Sequence, residues 1–145
     1  MDDSGTHLWL ILWKAYEAMR AHAEHHIAGS GLGYTDFAIL EALLHKGPTP
    51  VNLIGRRVHL TSGSITAAVD RLEAKGLVER TNDPADRRAR VVSLTPLGRA
   101  LIEEVFARHC AAMESAAGGL SREERAQAID LLRRLGIYAR HHSPA

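Results

Sequence analysis

The sequence predicts a mainly α-helical fold carrying one small β-hairpin, on three observations. Apolar residues recur at helical spacing over most of the chain, two short β-branched segments past its middle break that period, and Gly or Pro stands at most changes of pattern. A chain of 145 residues is one domain of ordinary size, able to bury about 70% of its unfolded surface. The expected unit is therefore residues 1–145 as a single domain.

Each element has its own signal. From Leu8 to about Ala28 there is no Pro or Gly, and Trp9, Trp13 and Tyr16 fall at i, i+4 and i+7, which predicts a long first helix closed by Gly29-Ser30-Gly31. Thr35 is placed to cap a second helix with Phe37, Leu40, Leu43 and Leu44 as its buried stripe, ended at Gly47-Pro48. Thr49 is expected to cap a short third helix with Pro50 at its first position and Val51, Leu53, Ile54 and Val58 facing inward. After a tight turn at His59-Leu60, Thr61 caps a fourth helix whose core face is Ile65, Ala68, Val69 and Leu72, closed by Lys75-Gly76.

The period then changes. Leu77 to Thr81 and Ala89 to Thr95 read as two strands around the polar loop 82–88, a β-hairpin. From Pro96 the helical period returns, with Leu97, Leu101 and Val105 at i, i+4 and i+8, to about Ala116. Ser121 with Glu124 forms a capping box for a last helix carrying Ile129, Leu132 and Leu135.

Composition excludes several function classes. Eighteen Lys and Arg against seventeen Asp and Glu leave the chain near neutral, so a basic patch must come from clustering. The single cysteine, Cys110, sits at core spacing in the fifth helix; it excludes an internal disulfide framework and fits a reducing compartment. The apolar stretch from Leu8 to Trp13 is too short for a membrane span and lacks the flanks of a signal peptide. A soluble cytoplasmic protein with no membrane partner is expected. No Gly-rich phosphate loop, nucleophile motif or apolar carboxylate pair points to an enzyme, and no cofactor is implied.

Two short helices joined by a tight turn and followed by a hairpin describe a winged helix-turn-helix over residues 35–95, whose second helix enters the major groove of double-stranded DNA. That assignment explains why the fourth helix opens on Thr61, Ser62, Gly63 and Ser64, residues that are mediocre for helix stability. Small hydroxyl residues let backbone amides and the positive end of the helix dipole approach DNA. Ser62, Ser64 and Thr66 can donate to phosphates or bases, Gly63 admits close approach, and Ala67 suits a thymine methyl. The same residues would also serve to cap a surface helix.

Residues 53–100 hold nine basic side chains against five acidic ones, a local excess in a neutral chain. Arg71 on the helix and Arg87, Arg88 and Arg90 on the hairpin are the expected DNA contacts, the wing arginines suiting a narrow minor groove. Asp86 is placed to pair with Arg88 or Arg90 and stiffen the loop. A merely solvated hairpin is the alternative.

Three pieces, SGSITAAVDRLEAKGLVER, DPADRRARVVSLT and TPLGRAL, together with the helical order, resemble the multiple-antibiotic-resistance regulator (MarR) family over essentially the whole chain. Ala85 stands where the family's usual wing has Arg. The stretch DFAILEALLHKGP, with SGSIT and PADRR, is most similar to the branch that represses quinone- and catechol-detoxification genes. The resemblance implies a dimeric repressor in which a small molecule bound between the dimer helices and the winged domain changes the spacing of the two reading heads.

The residues supply their own reason for a homodimer. The segments 8–29 and 96–140 carry apolar stripes broader than one small domain can cover, which marks them as dimerisation helices. A two-fold dimer implies a palindromic operator with half-sites one helical turn apart. Trp13, Tyr16, Phe37 and His45 are the candidate pocket for an aromatic, phenolic or quinone-like effector, although such a stripe is also what a core requires. His22 and His26 at i, i+4, with His25 beside them, leave a metal-responsive regulator open, without a cysteine or carboxylate at ligand spacing. A winged helix that binds only protein is the remaining alternative, and the salt dependence of DNA binding separates it from a DNA reader.

Overall fold

A computed structural model describes residues 2–144. Ser4, in extended backbone, accepts the His7 N–H at 3.2 Å, so α1 (Gly5–Ala28) starts before the expected Leu8. It buries only Ala23 and Ile27; Trp9, Trp13 and Tyr16 are each at least half exposed.

Helix α2 (Tyr34–Lys46) begins one residue ahead of Thr35, which is therefore inside the first turn rather than its cap. Gly33 holds the cap position without a side chain, its carbonyl accepting the Phe37 N–H at 3.0 Å. Phe37, Leu40 and Leu43 are buried as expected, Leu44 half so, and Ile39 and Asp36 join them.

Thr49-Pro50 corrects a second expectation. These residues form a short strand, β1 (Thr49–Pro50), and α3 (Val51–Arg57) starts after Pro50, which is its cap rather than its first helical residue. A residue before proline is pushed toward extended backbone, and proline is tolerated on an edge strand. Thr49, with its hydroxyl donating to the Gly47 carbonyl at 2.8 Å, pairs with Val92.

The turn between α3 and α4 (Ser62–Ala74) is tight: His59 takes a φ of 59°, and the Leu60 N–H donates to the Gly55 carbonyl at 2.8 Å. A Cβ on Gly55 would lie 3.0 Å from Ile65 Cγ2, so glycine is what lets the two helices approach. All four expected α4 core residues, Ile65, Ala68, Val69 and Leu72, are buried. Gly76 ends the helix at a φ of 71°.

Strands β2 (Val78–Asn82) and β3 (Arg90–Leu94) form the hairpin, antiparallel with Val78 opposite Leu94 and Asn82 opposite Arg90. The sheet therefore has three strands in the order β1-β3-β2, with Val92 of the central strand fully buried.

Thr95 caps α5 (Pro96–Ala116), accepting the Gly98 N–H at 3.0 Å while its hydroxyl donates to the Gly76 carbonyl at 2.6 Å. The buried face of α5 is Gly98, Ile102, Val105 and Ala112, turned from the expected Leu97, Leu101 and Val105 stripe; Leu97 is 61% exposed. The helix docks through Gly98 against the Leu77 carbonyl, and that contact sets the rotation. Cys110 is consequently exposed rather than in the core. Both halves of the Ser121 and Glu124 capping box are formed at the start of α6 (Arg122–His141), yet no residue of α6 is buried. Among the described residues no helix is long and apolar enough to cross a membrane.

Candidate nucleic-acid interface

The first turn of α4 is built for approach. Thr61 Oγ1 accepts the Ser64 N–H at 3.2 Å and donates to the Ser64 hydroxyl at 3.0 Å. The N–H groups of Ser62 and Gly63 have no intrahelical acceptor, as at any helix start. Ser62, Gly63, Ser64, Thr66 and Ala67 are all exposed. Thr66 spends its hydroxyl proton on the Ser62 carbonyl at 2.9 Å, so in this rotamer it offers an acceptor and a methyl group rather than the expected donor.

Beside this turn stands the wing. The Asp86 carboxylate pairs with neither expected guanidinium; its Oδ1 accepts the Arg88 backbone N–H at 2.9 Å, and Asp83 Oδ1 accepts that of Ala85 at 2.9 Å. Two such Asx turns in succession fold the loop from its backbone. The guanidinium groups of Arg87, Arg88 and Arg90 enter no ion pair among the described residues, and all three side chains are exposed. Between wing and helix lies a cleft of about 450 Å³ whose lining includes Asn52, Ser62, Thr66, Arg80, Arg88 and Arg90.

Arg71, an expected DNA contact, also has partners within the chain. Its Nη2 lies 3.2 Å from Oδ1 of the buried Asp36, with Lys75 Nζ 3.8 Å from Oδ2, so both side chains tie α4 to the first turn of α2. Asp36 is 35 positions away in sequence and carried no local signal. Spacing does not single out Arg80 either: it is only 15% exposed and pairs with Asp70 at 2.6 Å and Glu73 at 3.2 Å.

The four expected effector residues do not form one site. Tyr16 and His45 line a cleft of about 700 Å³ between α1, α2 and the α3–α4 turn, joined by Arg20, Tyr34, Lys46 and Arg57. Trp13 is not in its wall, and Phe37 is 5% exposed, packed at 5.0 Å from the His109 ring on the core side of α2. Phe37 belongs to the buried stripe with Leu40, whereas Ala38, Glu41 and His45 share the cleft face. Arg20 stacks over the Tyr34 ring at 5.3 Å and donates to Glu24 at 2.6 Å, which raises its pKa. Burial pushes the Tyr34 phenol upward, with Tyr16 adding to the shift. His25 and His26 meet edge to face at 5.5 Å, but no group of three potential ligands including them or His22 converges among the described residues.

The pattern of the MarR family matches residues 30–89. The HTH-type transcriptional regulator MhqR of Bacillus subtilis is 38% identical over 140 residues, 97% of each chain. A structure of Bordetella bronchiseptica BpsR, whose DNA binding is described as regulated by 6-hydroxynicotinic acid, is 32% identical and superposes with a TM-score of 0.79 over 90% of this chain and 98% of that one. A cysteine-substituted MarR from E. coli complexed with operator DNA shares the fold at 21% identity, with a TM-score of 0.80 over 88% and 92% of the two chains.

Proposed function

The chain belongs to the MarR family of transcriptional regulators, and from that premise we propose that it is a ligand-responsive repressor, binding palindromic double-stranded DNA as a homodimer in the cytoplasm. One observation carries the reading: the small, exposed first turn of α4 stands beside three exposed wing arginines that enter no ion pair among the described residues. The helix supplies base contacts and the wing supplies phosphate or minor-groove contacts. Ser62, Gly63, Ser64, Thr66 and Ala67 form the reading edge, with Arg87, Arg88 and Arg90 beside it; Arg71 supports that edge from behind.

The homodimer is supported by the uncovered apolar faces of α1 and α6, from Trp9 and Trp13 to Ile129 and Leu132. A small aromatic effector, phenolic or quinone-like as the sequence resemblance implies, fits the cleft walled by Tyr16, Tyr34 and His45. It relieves repression only by binding more tightly to the arrangement whose reading heads miss the operator half-sites. BpsR supports a small aromatic ligand as the kind of signal.

The test is selection of duplexes from a random DNA pool by the purified protein at near-physiological salt. The expected product is a two-fold symmetric site, and enrichment of no sequence by a folded dimer moves the reading to a winged helix that binds protein. Replacing Ser64 by a bulkier residue is expected to weaken the selected site more than random DNA, and equal losses on both would count against base readout.

A further inference from the structure

We infer that Arg80 is a positioning residue for base reading, one that holds the reading helix at a set rotation against the wing without touching DNA. The inference rests on the DNA-reading function proposed above. Arg80 is in β2, paired across the ladder with the fully buried Val92, so the sheet fixes where its side chain starts. From there it lies along α4. Its backbone N–H donates to Glu73 Oε2 at 3.1 Å, its guanidinium donates to Glu73 Oε1 at 3.2 Å and Asp70 Oδ1 at 2.6 Å, and Nη2 reaches toward the Thr66 carbonyl at 3.5 Å.

Thr66, Asp70 and Glu73 fall at i, i+4 and i+7, one line down the wing-facing side of α4. A guanidinium fork that engages three points on that line leaves the helix little freedom to roll or tilt. It also neutralises part of the charge of two carboxylates, 63% and 44% exposed, that otherwise face the approaching phosphates. With three guanidinium N–H groups directed at helix acceptors and only 15% of the side chain exposed, Arg80 is poorly placed to be a phosphate contact. Base contacts demand stricter geometry than contacts to phosphate, so a loosened helix loses discrimination before it loses general affinity.

The experiment compares affinity for the duplex selected by the wild-type protein with that for a scrambled duplex, between about 50 and 200 mM salt. For Arg80→Met, folded by circular dichroism, the ratio of the two affinities is expected to fall about tenfold with the salt slope unchanged, as for loss of one base contact's worth of discrimination. A slope reduced by about 0.9 per site would make Arg80 a phosphate contact, and an unchanged ratio would leave it no part in reading; either overturns the inference. Asp70→Asn with Glu73→Gln removes both carboxylate charges that the guanidinium pairs with, from exposed positions, so it tests the brace should Arg80→Met fail to fold. Its ratio is expected to fall through tighter binding to scrambled DNA, and an unchanged ratio again overturns the inference. Full recovery by Arg80→Lys would reduce the role to charge alone, also against positioning. A wild-type protein that selects no site overturns the proposed function and this inference together, whereas selection by wild type with equal discrimination by the variants overturns this inference alone.

Discussion

Helices α4 and α6 carry similar apolar periodicity and end in opposite situations. In α4, Ile65, Ala68, Val69 and Leu72 are all buried, against α3, the sheet and α2; in α6, a helix of 20 residues, nothing is buried, and Ile129, Leu131, Leu132 and Ile137 stand about half exposed or more. The start of α1 behaves like α6. The reading module closes its own core within one chain, and the outer helices present an apolar face that a second copy is suited to cover. The two regions should therefore respond differently to mutation: the frame through assembly, the module through stability or contact.

The largest effect is expected from the frame. Introducing Ile129→Glu with Leu132→Glu adds two charges to the uncovered face of α6 and should convert the proposed dimer to a monomer in sedimentation, with little change in helix content. Losing the linked second half-site should lower operator affinity by about 10²- to 10⁴-fold. An undiminished dimer would relocate the interface away from α6.

Where α5 docks on the module, the sharpest single change is Gly98→Ala. Its Cβ would lie 1.9 Å from the Leu77 carbonyl oxygen, a backbone atom at the start of the hairpin, so α5 must shift off the wing's base. A cost of about 3 kcal/mol is expected, read as a lower denaturant midpoint. An unchanged midpoint would mean that the seam between α5 and the hairpin bears no load.

The same contrast explains what the sequence made legible. Capping residues, stripes and terminal glycines act within a few positions, so α4, the hairpin and the α6 capping box were readable from local pattern. Thr49-Pro50 differs from its local pattern because its strand exists only by pairing with Val91 and Val92, some forty residues on. Spacing puts Asp86 in the right neighbourhood with a different partner and is silent on the Asp36 pair of Arg71, since a side chain's partner depends on a packing that spacing does not encode. The effector cleft suffered most: periodicity locates Tyr16, Phe37 and His45 on helices but not on which side of α2 each one ends.

A smaller effect separates wing from reading helix. Arg88→Ala should weaken selected and random duplexes alike, by several-fold, because a wing arginine meets phosphate or groove potential rather than a unique base edge. With two wings per dimer the salt slope should fall by about 1.8 if each Arg88 neutralises one phosphate. A loss confined to the selected duplex would place Arg88 in base readout instead.

The smallest expected effect lies at the seam between the two regions, where His109 of α5 packs on Phe37 of α2. Its Nδ1 is buried without a hydrogen-bond partner among the described residues, and burial lowers its pKa; Glu41 opposes that shift and His26 adds to it. A histidine with a folded pKa below its unfolded value, about 6.5, resists protonation in the fold while the unfolded chain takes the proton. Its neutral form therefore stabilises fully above about pH 6.5, and stability drains away as pH falls below that value toward the folded pKa. His45, whose ring lies 4.7 Å from Phe106 on the same seam, and the other histidines are present in both proteins of a paired comparison, so the difference isolates His109. Relative to wild type, His109→Gln should gain in thermal midpoint as pH drops from about 7 to 5, by no more than about 2 °C for one partly buried group. A difference that stays constant with pH would mean His109 is as easily protonated in the fold as out of it, and that the joint between reading module and frame is open to water.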